Sequence, residues 1–131
     1  MTVLTNNPVL GHITTFGGHP LCCAAGMAAF KVLLRDGLTK LVREKENLFR
    51  KHLKHPSIVE IRGEGLLLAV EFGSSELMHR VITKAVENGI LTDWFVFCES
   101  AIRISPALTI SEDEIKKACE LILLSIEQAI K

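Results

Sequence analysis

The sequence has no tyrosine, a single tryptophan, and aromatic residues at only 5% of its 131 positions. So few aromatic side chains argue against a surface that stacks the bases of single-stranded nucleic acid. The formal net charge is zero, with 15 basic and 15 acidic residues, and no basic face or tail stands out. This balance argues against a nucleic acid or an anionic membrane as the partner. Hydrophobic residues make up 48% of the chain, which favours one folded domain over disorder.

Signals for export and for membrane insertion are also missing from the sequence. The first residues lack the basic region and apolar stretch of a secretory signal peptide. The longest uncharged stretch covers residues 3–30, but its first half contains asparagine, glycine and proline. Its apolar helical part is shorter than the ~20 residues that a membrane span needs. We therefore expect a cytoplasmic protein.

The cysteines and histidines show no pattern typical of a disulfide framework or a metal site. No two cysteines form a C-x-x-C pair, and the five histidines lack metal-ligand spacing. Each cysteine has apolar neighbours in the sequence, so we expect four small buried hydrophobic residues in a reducing compartment. These cysteines are Cys22, Cys23, Cys98 and Cys119.

Residues 12–20 read His-Ile-Thr-Thr-Phe-Gly-Gly-His-Pro and precede a run of small residues. Two adjacent hydroxyls, Thr14 and Thr15, stand before a glycine pair, and Pro20 suits the first position of a helix. Hydroxyls and backbone N–H groups near a helix N-terminus suit an oxyanion such as phosphate. The alternative is a turn that begins a helix and binds no ligand.

Hydrophobic spacing, turn residues and capping residues predict four helices and four strands. The first helix is uncharged on every side in its first half, which is typical of a helix with close neighbours all round. A domain of 131 residues has little means of surrounding such a helix, so we expect exposed apolar surface along residues 21–29 and association through this helix and residues 1–19. A hairpin is predicted through residues 63–65 and a loop over 93–100. The predicted helices are 20–36, 38–54, 75–88 and 111–130, and the predicted strands are 58–62, 66–72, 90–92 and 101–105. The order predicts a small sheet covered by helices, preceded by a loop segment over residues 1–19.

Four segments, in sequence order, resemble motifs of the class III pyridoxal-phosphate aminotransferases. Residues 14–21 resemble the T-[FY]-G-G-N-P-L signature, with His19 where the family usually has asparagine. Residues 62–66 are similar to R-G-x-G-L, and 102–108 resemble I-R-[FIL]-x-P-x-L. The fourth segment is Leu91-Thr92-Asp93, and together the four cover about residues 9–126. Within the class, the sequence is most similar to the acetylornithine/ornithine aminotransferase group.

The resemblance implies an α/β (α+β) fold, namely the small C-terminal domain of a fold type I transferase with a mostly antiparallel sheet covered by helices. Residues 1–19 would be a loop segment that contacts the large domain or the partner subunit of a homodimer. Residues 20–131 would be the small domain, including the interdomain helix 20–36.

The resemblance also assigns site residues. Thr15 matches the threonine that contacts the phosphate of pyridoxal 5'-phosphate bound in the neighbouring subunit, and Thr14 is a second candidate donor. Arg103 matches the arginine that binds the substrate α-carboxylate, since a planar guanidinium holds a carboxylate through two parallel hydrogen bonds. Trp94, Phe95 and Phe97 follow the Leu-Thr-Asp segment and either line the substrate entrance or pack in the core.

The lysine that such an enzyme needs for covalent catalysis is not found at a matching position. The family has it tens of residues before the threonine–glycine motif, whereas no lysine precedes Thr15 here. We therefore expect a C-terminal portion that has no catalytic residue, binds no cofactor alone and is inactive by itself. The complete enzyme would transfer an amino group from ornithine or N-acetylornithine to 2-oxoglutarate. The alternative is a stand-alone α/β binding or regulatory module that uses no cofactor.

Overall fold

The computed structural model of the chain describes residues 14–131. Residues 38–131 form one compact unit, and the described residues 14–37 belong to another. Of the predicted loop over residues 1–19, residues 1–13 lie outside the described part of the chain and residues 14–19 lie within it. The division into a loop and a small domain at residue 20 therefore stays a prediction. The elements are α1 Pro20–Arg35, α2 Val42–His52, β1 Glu60–Glu64, β2 Leu67–Glu71, α3 Ser75–Glu87, β3 Trp94–Phe95, β4 Cys98–Ile104 and α4 Glu112–Ala129.

The larger unit is built on a four-stranded sheet whose strands lie in the order β1-β2-β4-β3 and pair antiparallel throughout. The expected fold, a small antiparallel sheet covered by helices, is confirmed. The core lies between one face of this sheet and the helices α2, α3 and α4. Its largest fully buried side chains are Phe49, Leu53, Leu68, Met78, Ile102, Ile115 and Ile126.

The pairing of β2 with β4 decides which side chains face the core. Leu68 pairs with Ile104 and Val70 pairs with Ile102, and these side chains are buried in the core. Since successive residues of a strand point to opposite faces, the pair between Ala69 and Arg103 lies on the other face. The same register that buries the isoleucines of β4 therefore directs Arg103 away from the core.

The segment after α3 differs from the prediction. Residues 90–92 are not a strand, and the predicted loop 93–100 contains β3 and the first part of β4. The two strands form a hairpin whose turn is Val96-Phe97, with a register irregularity in the pairing of β3 and β4. The prediction was wrong here because this turn contains none of the glycine, asparagine or proline residues that mark tight turns.

Two predicted boundaries also move. The first hairpin is confirmed, but its turn is Gly65-Leu66, and Gly63 lies inside β1 with φ +126°. A Cβ at Gly63 would collide with the carbonyl oxygen of Leu67, so only glycine fits this strand position. The second helix begins at Val42 instead of residue 38, because residues 38–41 form turns after α1 ends.

The prediction of four buried cysteines is wrong for three of them. Cys119 is buried in α4, whereas Cys98 is half-buried and both Cys22 and Cys23 are exposed. The two exposed thiols lie on α1, which has no buried residue, and every residue from 21 to 29 is exposed. Apolar neighbours in a sequence do not bury a thiol unless another element covers them.

The described residues contain no group of three or more histidine, cysteine or acidic side chains able to hold a metal ion. None of the helices in residues 14–131 has the length and apolar character needed to cross a membrane.

Candidate functional site

Arg103 is held from both its backbone and its side chain by the segment that precedes β3. Its N–H donates to the carbonyl oxygen of Asp93 over 2.9 Å, and its carbonyl oxygen accepts from Thr92 Oγ1 over 2.7 Å. Its Nη2 donates to Asp93 Oδ2 over 2.8 Å. The arginine therefore has a fixed backbone and one fixed point on its guanidinium.

The ion pair between Arg103 and Asp93 is exposed. The side chains keep 41% and 47% of their accessible surface, respectively. A guanidinium carries five N–H donors and offers paired donors on two edges. Since each terminal nitrogen has one hydrogen on either side, a single bond to Asp93 leaves one edge with two parallel donors. Arg103 can thus bind a carboxylate bidentately while it remains paired with Asp93.

A cleft of about 440 Å³ opens beside this ion pair. Asp93 and Arg103 both line the cleft, and most of its other lining residues are apolar. Asp93 Oδ1 is buried and has no hydrogen-bond partner among the described residues. The lining includes Phe49, Ile90, Leu91, Thr92, Ile104, Pro106, Ile110 and Ile122. The arrangement suits a small molecule that presents a carboxylate to Arg103.

The aromatic residues near Arg103 contribute nothing to the core. Trp94 and Phe97 keep 53% and 90% of their surface exposed, and Phe95 is half-buried. None of the three belongs to the core cluster, so core packing is excluded for Trp94 and Phe97. They do not line the cleft either, and their place at a substrate entrance stays a prediction.

The threonine–glycine motif forms a turn immediately before α1. The carbonyl oxygen of Thr14 accepts from Gly17 N–H over 3.3 Å. The carbonyl oxygen of Phe16 accepts from the N–H three residues later, that of His19, over 3.1 Å. Gly18 has φ +77°, a conformation that side chains disfavour. Thr14 and Thr15 are both exposed on this turn. The two threonines are therefore exposed on a turn that ends where α1 begins.

His19, the departure from the usual asparagine, caps α1. Its Nδ1 accepts from Leu21 N–H over 3.3 Å, and Pro20 occupies the first helical position as predicted. An asparagine oxygen would accept the same kind of bond at an N-cap. The substitution thus preserves a side-chain acceptor at the start of the helix.

The family model "Aminotransferase class-III" matches residues 2–126, nearly the whole chain. The chain belongs to the class III aminotransferase family. Members of this family depend on pyridoxal phosphate, and the family match confirms the class to which the sequence motifs pointed.

Solved structures of aminotransferases share the fold. The acetylornithine aminotransferase of Elizabethkingia anophelis is 31% identical over 89% of this chain, with a TM-score of 0.75. An ornithine aminotransferase of Toxoplasma gondii is 36% identical over 92%, also with a TM-score of 0.75. An omega transaminase of Pseudomonas jessenii is 26% identical over 92%, with a TM-score of 0.80. The chain spans only 31%, 31% and 30% of these proteins.

The three predicted site residues are divided between the two compact units of this class III chain. Thr14 and Thr15 are adjacent in residues 14–37, and Arg103 lies in residues 38–131. The structure describes each part of the site by itself. The contact between Asp93 and Arg103 was missed from the sequence, because ten residues separate the two and only the β3–β4 hairpin brings them together.

A second group that the sequence did not reveal lies where β1, β2 and β4 run side by side. Arg62 donates to Glu71, to Glu60 over 3.0 Å and to Cys98 Sγ over 3.3 Å. Ser100 Oγ donates to Glu71 Oε1 over 3.0 Å. These bonds from Arg62 and Ser100 lower the pKa of Glu71. The network ties the irregular part of β4 to its neighbours, close in sequence to Arg103.

Proposed function

We propose that this chain is part of an aminotransferase that transfers an amino group from ornithine or N-acetylornithine to 2-oxoglutarate. The observation that carries the proposal is the exposed guanidinium of Arg103, held at one point beside an open cleft with one paired-donor edge accessible. The class III family supports amino transfer. Similarity to an acetylornithine and an ornithine aminotransferase supports the donor class.

The threonine–glycine turn fits the phosphate of pyridoxal phosphate. A phosphate dianion needs several oriented donors, and this turn offers two exposed hydroxyls ahead of a helix N-terminus. We assign Thr15 as the main phosphate contact and Thr14 as the second. The phosphate would belong to the cofactor of the neighbouring subunit in a homodimer. When bound, the cofactor supplies the aldehyde and the electron sink that amino transfer requires.

The residues of the chain then bind and orient the substrate. Arg103 would hold the α-carboxylate through two parallel hydrogen bonds, which fixes the position of the adjacent carbon. The lysines of the chain all follow Thr15, and none stands where the family has its covalent lysine. We therefore propose that the chain is inactive by itself. We also propose that the protein acts in the cytoplasm.

The test measures amino transfer by the protein as it occurs in its source, with ornithine and N-acetylornithine as donors and 2-oxoglutarate as acceptor. Arg103→Gln should raise the KM for 2-oxoglutarate by about 10- to 100-fold, since a hydrogen bond to a charged group contributes about 1.5–3 kcal/mol. Arg80→Gln is the matched control, because Arg80 is exposed on α3 and lines no part of the cleft.

Three results would contradict the proposal. Transfer from neither donor would reject the donor class, and an unchanged KM in Arg103→Gln would reject the role of the arginine. Full function of the protein without pyridoxal phosphate would instead favour the alternative of a cofactor-free binding or regulatory module.

A further inference from the structure

We propose that Asp93 is a positioning residue that holds the guanidinium of Arg103 in the orientation that receives the substrate carboxylate. This inference rests on the proposed function of Arg103. Asp93 touches neither substrate nor cofactor in this proposal and acts only through the arginine. The carboxylate of Asp93 accepts a hydrogen bond from Arg103 Nη2 over 2.8 Å. The backbone carbonyl oxygen of Asp93 accepts from the backbone N–H of Arg103.

An exposed arginine without a partner samples many rotamers, and fixing one of them costs entropy when a ligand binds. Here the segment 92–93 fixes Arg103 at three atoms: its N–H, its carbonyl oxygen and Nη2. The β2–β4 register already directs the side chain away from the core. The remaining freedom is rotation of the side chain, and the bond to Asp93 restricts it.

The geometry of the bond distinguishes positioning from blocking. Asp93 engages Nη2 through one oxygen, Oδ2, and so occupies one of the two edges that offer paired donors. The other edge stays available, and 41% of the arginine side chain is exposed to receive a ligand. An acid that bound the guanidinium through both oxygens would compete with the substrate for the same donors.

The environment of the second carboxylate oxygen of Asp93 supports a positioning role for this residue. Oδ1 is buried beside the cleft without a hydrogen-bond partner among residues 14–131, although buried polar atoms are nearly always paired. The carboxylate thus keeps its bond to Arg103 through Oδ2 although its other oxygen is buried and unpaired among these residues.

The experiment is a double-mutant cycle in the complete protein, with steady-state kinetics for 2-oxoglutarate. Asp93→Asn keeps the shape of the side chain and removes its charge, and Asp93→Ser is a second variant in case the first folds poorly. The matched control is Asp113→Asn, because Asp113 also forms an exposed ion pair, with Lys116 over 3.2 Å. Thermal melting of each variant monitors folding.

We expect Asp93→Asn to raise the KM for 2-oxoglutarate by about 3- to 10-fold and to leave kcat within about twofold. This split is the signature of a binding role, whereas a structural defect would lower kcat and the melting temperature as well. In the Arg103→Gln background the same substitution should have no further effect on KM, since the group it positions is gone.

Each other outcome points to a specific failure. If Arg103→Gln leaves the KM unchanged, the proposed function itself fails. If Arg103→Gln raises the KM but both Asp93 variants behave like Asp113→Asn, only the present inference fails. A lower KM in Asp93→Asn would show that Asp93 competes with the substrate, and additive effects in the cycle would show that it acts without the arginine.

Discussion

At Cys98 one thiol contacts two polar side chains. Sγ lies 3.3 Å from Arg62 Nη2 and 3.4 Å from Ser100 Oγ. Hydrogen bonding with Ser100, first through its hydroxyl and then through its backbone, lowers the pKa of Cys98, and the hydrogen bond from Arg62 lowers it further. Cys119 has the opposite environment, since burial in the core raises the pKa of its thiol to about 11. Two cysteines with similar sequence neighbours thus differ in both accessibility and acidity.

This contrast predicts an order of reactivity. Iodoacetamide should alkylate Cys98 well before Cys119 near neutral pH, because only the thiolate reacts. Ser100→Ala should move the pH profile of Cys98 alkylation to higher pH, since the hydrogen bond between Cys98 Sγ and the Ser100 hydroxyl, which lowers the pKa of the thiol, is lost. Peptide mass spectrometry measures each rate separately, with Ser75→Ala as the control. An unshifted profile in Ser100→Ala would contradict this effect of Ser100 on Cys98.

At the scale of elements, α4 begins with a complete capping box. Ser111 Oγ accepts from the Glu114 N–H over 3.2 Å, and the Glu114 carboxylate accepts from the Ser111 N–H over 2.8 Å. The Ser111 N–H and then the Ser111 hydroxyl, which both donate to the Glu114 carboxylate, lower the pKa of Glu114. The box satisfies two backbone groups that a helix start would leave unpaired. It fixes the first residue of the helix that contributes Ile115, Ile122 and Ile126 to the core.

The capping box gives a stability prediction. Ser111→Ala should lower the free energy of unfolding by about 1 kcal/mol, because alanine cannot accept from the backbone. Ser111→Gly should cost only a few tenths of a kcal/mol, since glycine is a tolerated cap. Urea denaturation followed by circular dichroism measures both changes. Equal losses in the two variants would show that the side-chain bond does not stabilise α4.

At the scale of the whole molecule, α1 presents large apolar side chains that nothing in the described chain buries. Leu21, Met27 and Phe30 keep 72%, 56% and 55% of their surface exposed. Exposed apolar surface of this kind marks an interaction face or leads to association. It agrees with a chain that spans about 30% of the length of its solved relatives.

We expect the chain by itself to associate through α1. Met27→Glu should weaken this association by placing a charge on the apolar face. Val86→Glu, at an exposed position of α3, is the matched control and should leave the association unchanged. Sedimentation over a range of concentrations measures both. A wild-type chain that stays monomeric at every concentration would refute the expectation.

The sequence alone determined the features whose signals lie within a few residues of each other. Apolar spacing and caps located α3 and α4, the glycines at 63 and 65 located the first hairpin, and the motifs around Thr15 and Arg103 identified the family. These signals are local, because a helix turn or a tight turn is decided by neighbours three or four positions away.

Only the tertiary structure decided the contacts that depend on strand register. The bond between Asp93 and Arg103, the donors around Cys98 and the exposure of Cys22 each require residues that are distant in the sequence or an element that covers them. A hairpin with an irregular register and no turn signal carries no periodic pattern. The environment of Arg103 therefore depends on the folded chain, whereas the sequence by itself established only which residue stands at this position.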